Sequence, residues 1–269
     1  MKNRVILYTE EDFSHMRRVG ALSALILDKV EGIIKPGTTT NQINKFVHEM
    51  TLENGAVPAP LNYHKFPKSV CTSVNDVICH GIPDETVLKD GDIINVDVTC
   101  ILNGYYGDTS RTFFVGDSFK EEGKNKLQKR LAKTTYDAMM YAISVVRPGA
   151  LLGDIGRIIE PLAKKEGFSV VSDFCGHGTG KSFHQFPNVL HCSMPYPESK
   201  LVIQKGMIFT IEPMINAGNK ACKIDKKDGW TVRTVDGSLS AQFEHTIGVT
   251  EDGCEIFTLS KTYKGPKLS

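Results

Sequence analysis

The sequence predicts an α+β fold assembled from two diverged copies of one unit: helix, Pro-Gly, helix, strands. Three observations carry that prediction. Asn103-Gly104 separates two runs rich in strand formers, and Asn-Gly is the strongest short hairpin signal. Pro36 and Pro148, Ile43 and Ile155, and Gly55 and Gly167 each recur 112 residues apart, inside stretches of helical spacing. Gly91-Asp-Ile-Ile-Asn-Val-Asp97 aligns with Gly206-Met-Ile-Phe-Thr-Ile-Glu212 at an offset of 115, with an acid in the same place in each copy.

The chain of 269 residues is read as a single catalytic domain spanning 1–269, with halves of roughly 10–117 and 118–260. Apolar residues make up 41% and charged residues 23%, the balance of a soluble globule. A formal net charge of +1 argues against bulk affinity for nucleic acid or an anionic membrane. No apolar run is long enough to span a bilayer, and the N-terminal apolar stretch is too short for a signal peptide. Seven scattered cysteines without a Cys-x-x-Cys pair point to reduced thiols and a cytoplasmic location, not to a disulfide framework or zinc finger.

In chain order, Thr9 with Asp12 reads as a helix start, and Phe13, Met16, Gly20, Ala24 and Leu27 form one apolar stripe. Lys35-Pro36-Gly37 ends that element. A second helix starts after Thr39 or Thr40, turns Ile43, Phe46, Val47 and Met50 inward, and stops near Asn54-Gly55. The later copy has a helix over 124–146, ending at Arg147-Pro148-Gly149. Another follows with Ile155, Ile159 and Leu162 inward, stopping at Gly167.

The hairpin sets up the chemistry. With Asn103-Gly104 as a two-residue turn, Thr99 faces Asp108 and Asp97 shares that face, since side chains alternate with period two. The two carboxylates are then diagonal neighbours, roughly 7–8 Å apart at Cα. Val96, Val98 and Phe113 mark these strands as buried, where two ionised carboxylates need a shared proton or a cation. Glu212 ends an apolar strand, and Glu244 is read as lying inside one. His177 and His184 flank a glycine-rich turn, and His80 precedes Gly81 where the chain turns. Alone, His80 reads as an ordinary satisfied side chain. Arg111 and Arg233 are the obvious candidates to neutralise these acids. Four carboxylates with one imidazole suit a hard or borderline divalent ion, and the charge matches a pair of ions. That is equipment for metal-assisted hydrolysis.

Asn95-Val-Asp97, Gly107-Asp108-Thr-Ser-Arg111, Cys175-Gly-His177-Gly, Phe209-Thr-Ile-Glu212-Pro and Gln242-Phe-Glu244-His245-Thr together resemble the type I methionine aminopeptidases. So do Tyr63-His64-Lys-Phe66-Pro-Lys-Ser-Val-Cys71 and Val77-Ile-Cys79-His80-Gly-Ile-Pro. The resemblance spans nearly the whole chain. It implies the pita-bread fold, a curved antiparallel sheet with helices on its outer face, a pseudo-twofold internal duplication and two metals at the centre. It assigns Asp97, Asp108, His177, Glu212 and Glu244 as ligands of two divalent ions (cobalt, manganese, iron(II) or zinc). His80 and His184 would contact the scissile amide and its carbonyl oxygen, and Glu212 would shuttle the proton of the attacking water. Tyr63, Phe66, Cys71, Phe183 and Trp230 would form the methionine pocket. A monovalent cation would sit near Asn75, Val77 and Ser240. The implied reaction removes the initiator methionine of nascent polypeptides with a small second residue, by attack of a dimetal-bridged hydroxide, in a monomer working at the ribosome. The lack of a long N-terminal domain or a Cys/His-rich extension resembles the minimal bacterial form. Three rivals are a proline-specific or creatinase-like relative, a binding protein that has lost catalysis, and a cysteine nucleophile at Cys71, Cys79 or Cys175. Chain length disfavours the first and the full acid set the second. Nothing activates the thiols of the third.

Overall fold

A computed structural model describes residues 4–266. Helix α1 (Glu10–Val30) opens on the expected cap: the Asp12 N–H donates to Thr9 Oγ1, and the Thr9 N–H donates to Asp12 Oδ2. It ends before the Pro-Gly signal, and a 3₁₀ turn over Glu31–Ile33 covers the interval. Helix α2 (Thr40–Glu53) repeats the box with Thr39 and Gln42. Helix α3 (Lys126–Ser144) is two residues shorter at each end than the periodicity suggests. Its first turn follows a left-handed Asn125 that offers no side-chain cap. Helix α4 (Asp154–Lys165) ends just before Gly167.

Strands follow each helix pair. After α2 come β1 (Val57–Pro58), β2 (Cys71–Val74), β3 (Val77–Cys79), β4 (Ile93–Leu102) and β5 (Tyr105–Phe114). After α4 come β6 (Ser169–Val170), β7 (Gly176–Gly178), β8 (Gln185–Val189), β9 (Ile208–Ile211), β10 (Met214–Asn216), β11 (Cys222–Ile224), β12 (Val232–Thr234), β13 (Ser240–Gln242), β14 (His245–Val249) and β15 (Cys254–Ile256). The pairings are antiparallel. Strand β4 has β5 on one edge and β1 and β2 on the other; β9 lies between β14 and β7. Thr99 faces Asp108 and Leu102 faces Tyr105, as the Asn103-Gly104 turn requires; both turn residues have positive φ, 53° and 80°.

The internal duplication is visible in the backbone itself. Gly37 N–H donates to Leu88 O at 2.9 Å, and Gly149 N–H donates to Ile203 O at 2.9 Å. Leu88 N–H returns to Thr38 O, and Ile203 N–H to Ala150 O, both at 2.8 Å. Isolated bridges join Thr39 to Val87 and Leu151 to Val202. Residues 37–39 are repeated 112 residues on and residues 87–88 are repeated 115 on, so both offsets in the sequence have a structural counterpart. The strand acids Asp97 and Glu212 therefore occupy equivalent places.

Among the described residues the strands form four sheets, and each helix pair packs on its own set of them. Phe13, Met16, Val19 and Leu27 of α1 meet Ile94, Val96 and Val98 of β4 in one apolar core. Leu131, Met139, Ile155 and Ile159 meet Phe209, Ile211 and Phe243 in the other. The approach of α1 to β5 is close because Gly107 has no side chain: a Cβ there would lie 2.8 Å from the Val19 carbonyl group. Gly107→Ala should therefore cost about 1–3 kcal/mol through overpacking. Urea denaturation measures this; an unchanged midpoint would contradict the close approach.

Candidate metal centre and substrate pocket

The hairpin carries two of the acids. Asp97 lies opposite Cys71 on one side and Ser110 on the other, and Thr99 Oγ1 donates to Asp108 Oδ1 at 2.6 Å. Glu244 is not inside a strand, contrary to the sequence reading. The ladder breaks after Gln242 and resumes at His245, and the intervening backbone bonds to β5 instead. The Glu244 N–H donates to Ser110 O at 3.1 Å, and Glu244 O accepts from Thr109 Oγ1 at 2.8 Å. This break ties the third acid to the hairpin that carries the first two.

Glu212 follows β9. Its N–H donates to His191 Nε2 at 3.0 Å, Oε1 accepts from Thr210 Oγ1 at 2.7 Å, and Oε2 accepts from Gln242 Nε2 at 3.2 Å. The same Thr210 hydroxyl accepts the His177 N–H at 3.0 Å. His177 Nδ1 lies 3.1 Å from Gly178 O, which assigns the proton to Nδ1 and leaves the Nε2 lone pair free. That Nε2 is 3.6 Å from Asp108 Oδ2 and 3.5 Å from Glu212 Oε1. One ligand atom each from Asp108, His177 and Glu244 lie within 4.8 Å of one another.

The electrostatics of this cluster are uncompensated. Arg111 pairs with Asp28 at 2.8 Å and Arg233 with Asp76 at 3.0 Å, so neither candidate cation serves the cluster. Asp97 Oδ1 is buried without a hydrogen-bond partner among the described residues. Burial, then the Asp108 charge, pushes the Asp97 carboxyl well above its usual range. Burial and the same neighbour push up Glu212 and Glu244, and burial takes Asp108 to about 7. Burial lowers His177 to about 4. Converging carboxylates, an orphaned oxygen and a free imidazole lone pair fit hard or borderline divalent cations, which return the acids to their ionised form.

A cavity of about 370 Å³ opens on the cluster, and Tyr63, Phe66, Cys71, His80, Phe183, His184 and Trp230 all border it. Phe66 meets Trp230 edge-on at 5.2 Å, and His80 meets Trp230 at 6.0 Å. His184 stands 4.1 Å from the His177 ring, with Nδ1 2.9 Å from the Tyr63 hydroxyl. Burial lowers His80 to about 4. Partial desolvation against these rings, then the neighbouring imidazoles, lowers His184 to about 3. Burial raises the Cys71 and Cys79 thiols well above their usual range and Cys175 to about 11, which disfavours the thiolate form at these three positions. Asn75 and Ser240 also meet, with the Ser240 N–H donating to Asn75 O at 2.8 Å, while Val77 begins β3.

Several roles escaped the sequence reading. Phe174 and Met214 border the cavity, and Thr99, Thr210, Gln242 and His191 orient the acids. A signal existed for three of them. Thr99, Thr210 and Gln242 each stand two positions from an acid, hence on the same face of an extended chain. His191 had no local signal, because it meets Glu212 from 21 residues away.

The model of metallopeptidase family M24 matches residues 14–251. A methionine aminopeptidase of Rickettsia prowazekii (strain Madrid E) is 54% identical over 254 residues, covering 94% of this chain and 95% of the relative. One of Escherichia coli (strain K12) is 47% identical over 259 residues, covering 96% and 95%. The crystal structure of the Rickettsia prowazekii methionine aminopeptidase superposes with a TM-score of 0.90 over 95% of this chain and 100% of that one. The Thermotoga maritima methionine aminopeptidase, 35% identical, gives 0.89 over 95% and 99%. A buried, uncompensated acid cluster on this fold and relatives matched over nearly their whole length lead to one conclusion: the chain belongs to metallopeptidase family M24 and, within it, to the methionine aminopeptidases.

Proposed function

We propose that this chain removes one amino-terminal methionine from newly made polypeptides whose second residue is small. The observation that carries the reading is the uncompensated acid cluster at the base of an aromatic cavity. Asp97, Asp108, His177, Glu212 and Glu244 hold two divalent ions, drawn from cobalt, manganese, iron(II) or zinc. When bound, such ions bring the pKa of a water towards neutrality and polarise a carbonyl. Asn75, Val77 and Ser240 hold a monovalent cation through oxygen atoms.

The protein's own groups supply the rest. Glu212, aimed by Thr210 and Gln242, accepts the proton of the attacking water and returns it to the departing amine. His80 and His184 are neutral at pH 7, so each offers an N–H to the scissile amide or its carbonyl oxygen without adding charge. Tyr63, Phe66, Cys71, Phe183 and Trp230 enclose the methionine side chain, whose burial is worth roughly 1.5–3 kcal/mol. The substrate's free α-amine binds at the acid and metal end. In this reading the enzyme is a cytoplasmic monomer that acts beside the ribosome on the amino-terminal end of the nascent chain. Among the described residues no helix is long and apolar enough to cross a membrane.

Asp97→Asn, Asp108→Asn and Glu244→Gln should each remove most activity and lower metal content while the fold persists; Asp108→Asn with full activity and full metal contradicts the two-ion assignment. Chelation should destabilise the protein more at pH 7.5 than at pH 5. Carboxyls whose folded pKa is raised carry no penalty below their unfolded values near about 4, and the penalty grows as pH climbs towards the folded values. Thermal unfolding of apo and metal-loaded protein at the two pH values measures it; equal losses at both refute it.

His177→Ala should lose metal, whereas His80→Ala and His184→Ala should keep it and lower kcat by about 10²–10³-fold. Elemental analysis of the three variants gives the answer, and the reverse pattern inverts the ligand assignment.

For a Met-Xaa-Gly series, replacing Met by Ala should cost at least about 10–100-fold in kcat/KM, and norleucine should nearly match Met. N-acetylation should abolish cleavage. Equal cleavage of Leu-, Ala- and Met-initiated peptides refutes the specificity, and cleavage of Xaa-Pro bonds without Met favours a proline-specific peptidase.

A further inference from the structure

Phe183 and His184 sit on a loop, and the loop is clamped from outside the site. The Thr179 hydroxyl donates to Ser182 O at 3.2 Å, and Gln185 Nε2 donates to Thr179 O at 2.8 Å, so the segment is closed on itself. Its first half is seated by backbone bonds, the Tyr106 N–H donating to Gly180 O at 2.9 Å and the Thr179 N–H to Ile208 O at 3.2 Å, and two side-chain attachments add to these. The buried Tyr8 hydroxyl accepts the Lys181 N–H at 3.1 Å and the Gln185 Nε2–H at 3.0 Å, gripping both shoulders of the Phe183-His184 pair. Tyr8 is itself anchored, its N–H donating to Gly206 O at 2.7 Å, just ahead of β9. The fit is close: a Cβ on Gly180 would lie 2.3 Å from the Tyr8 hydroxyl.

The second attachment is Lys181, whose Nζ lies 2.7 Å from Asp12 Oδ1. The same Oδ1 accepts the Tyr105 hydroxyl at 2.6 Å. Asp12 Oδ2 accepts the Thr9 N–H and Thr9 Oγ1–H, both at 2.8 Å. All four acceptor positions of one carboxylate are therefore in use. Two serve the α1 cap and two join that cap to the hairpin and to the His184 loop. The burial of Asp12 works against its ionisation, and these hydrogen bonds outweigh it and hold the group ionised. Tyr105 and Tyr106 are neighbours on β5. Tyr105 thus secures Asp12, while Tyr106 stacks on Phe183 with ring centroids 5.6 Å apart.

We infer that Lys181 and Tyr8 are positioning residues. They tie the 179–185 loop to the capped end of α1 and so set the placement of His184 towards the substrate. Neither borders the cavity, and the Lys181 side chain is 59% exposed; Tyr8 is a buried core residue, so the test removes only its hydroxyl. The inference rests on the substrate-side role of His184 proposed above.

The test is a double-mutant cycle on metal-loaded enzyme with a Met-Ala-Ser peptide. Lys181→Met and Tyr8→Phe should each lower kcat by about three- to tenfold, the scale of one partly exposed ion pair or one hydrogen bond, at unchanged metal content. Lys181→Arg should restore most of the rate. In a His184→Ala background both variants should change kcat by less than twofold, because the group they place is gone. A loss that reflected only weakened folding would appear equally in both backgrounds and would not be rescued by arginine. Full activity of both Lys181→Met and Tyr8→Phe, or losses that multiply with that of His184→Ala, overturns the latch alone. A wild-type rate for His184→Ala overturns the substrate-side reading and the latch with it.

Discussion

Burying four carboxylates beside one imidazole places a constraint on the rest of the molecule. Desolvating an ionised carboxylate costs several kcal/mol, and a second like charge nearby adds to it. The two arginines closest in sequence are committed elsewhere, Arg111 to Asp28 and Arg233 to Asp76. The protein therefore invests in geometry: hydroxyls from Thr99 and Thr210 and the Gln242 amide fix individual oxygens, and the His177 proton is held on the far side of its ring. What remains unsatisfied is charge, and a divalent cation is the economical remedy. The same groups that are costly without metal are the ones the proposed function makes ligands.

Duplication explains how so many acids reach one point. Each copy runs helix, turn, helix and strand with the same backbone hydrogen bonds, from Gly37 to Leu88 and from Gly149 to Ile203. A strand entering the sheet in the same way brings its acid to the equivalent place, Asp97 in one copy and Glu212 in the other. The copies then diverge where function is asymmetric. The first continues into a long hairpin that adds Asp108. The second adds His177 on β7 and the Glu244 break after β13.

The cavity and the cluster share walls, which couples binding to chemistry. Desolvation beside the cavity lowers the pKa of both His80 and His184, the neighbouring imidazoles adding to it at His184, although the His184 ring is exposed at the cavity rim. His184 lies on a loop bonded to Tyr8 and, through Lys181, to the Asp12 carboxylate that caps α1, so the cap and the cavity rim share one network of contacts.

The sequence by itself determined whatever local backbone preference controls. Asn103-Gly104 admits the left-handed turn that sets the hairpin register, and with it the shared face of Asp97 and Asp108. Thr9, Thr39, Pro36 and Pro148 mark helix boundaries because caps and prolines act within a few residues, and the matched offsets exposed the duplication. The acids and histidines were legible as residue types out of place in apolar strands. Only the tertiary structure decided what depends on partners far along the chain. Glu244 leaves its strand because the β5 backbone offers it hydrogen bonds, His191 holds Glu212, and Arg111 turns to Asp28. Lys181 finds Asp12 from 169 positions away in the chain. Such contacts follow from how two cores pack against strands of several sheets, and no short stretch of sequence contains that information.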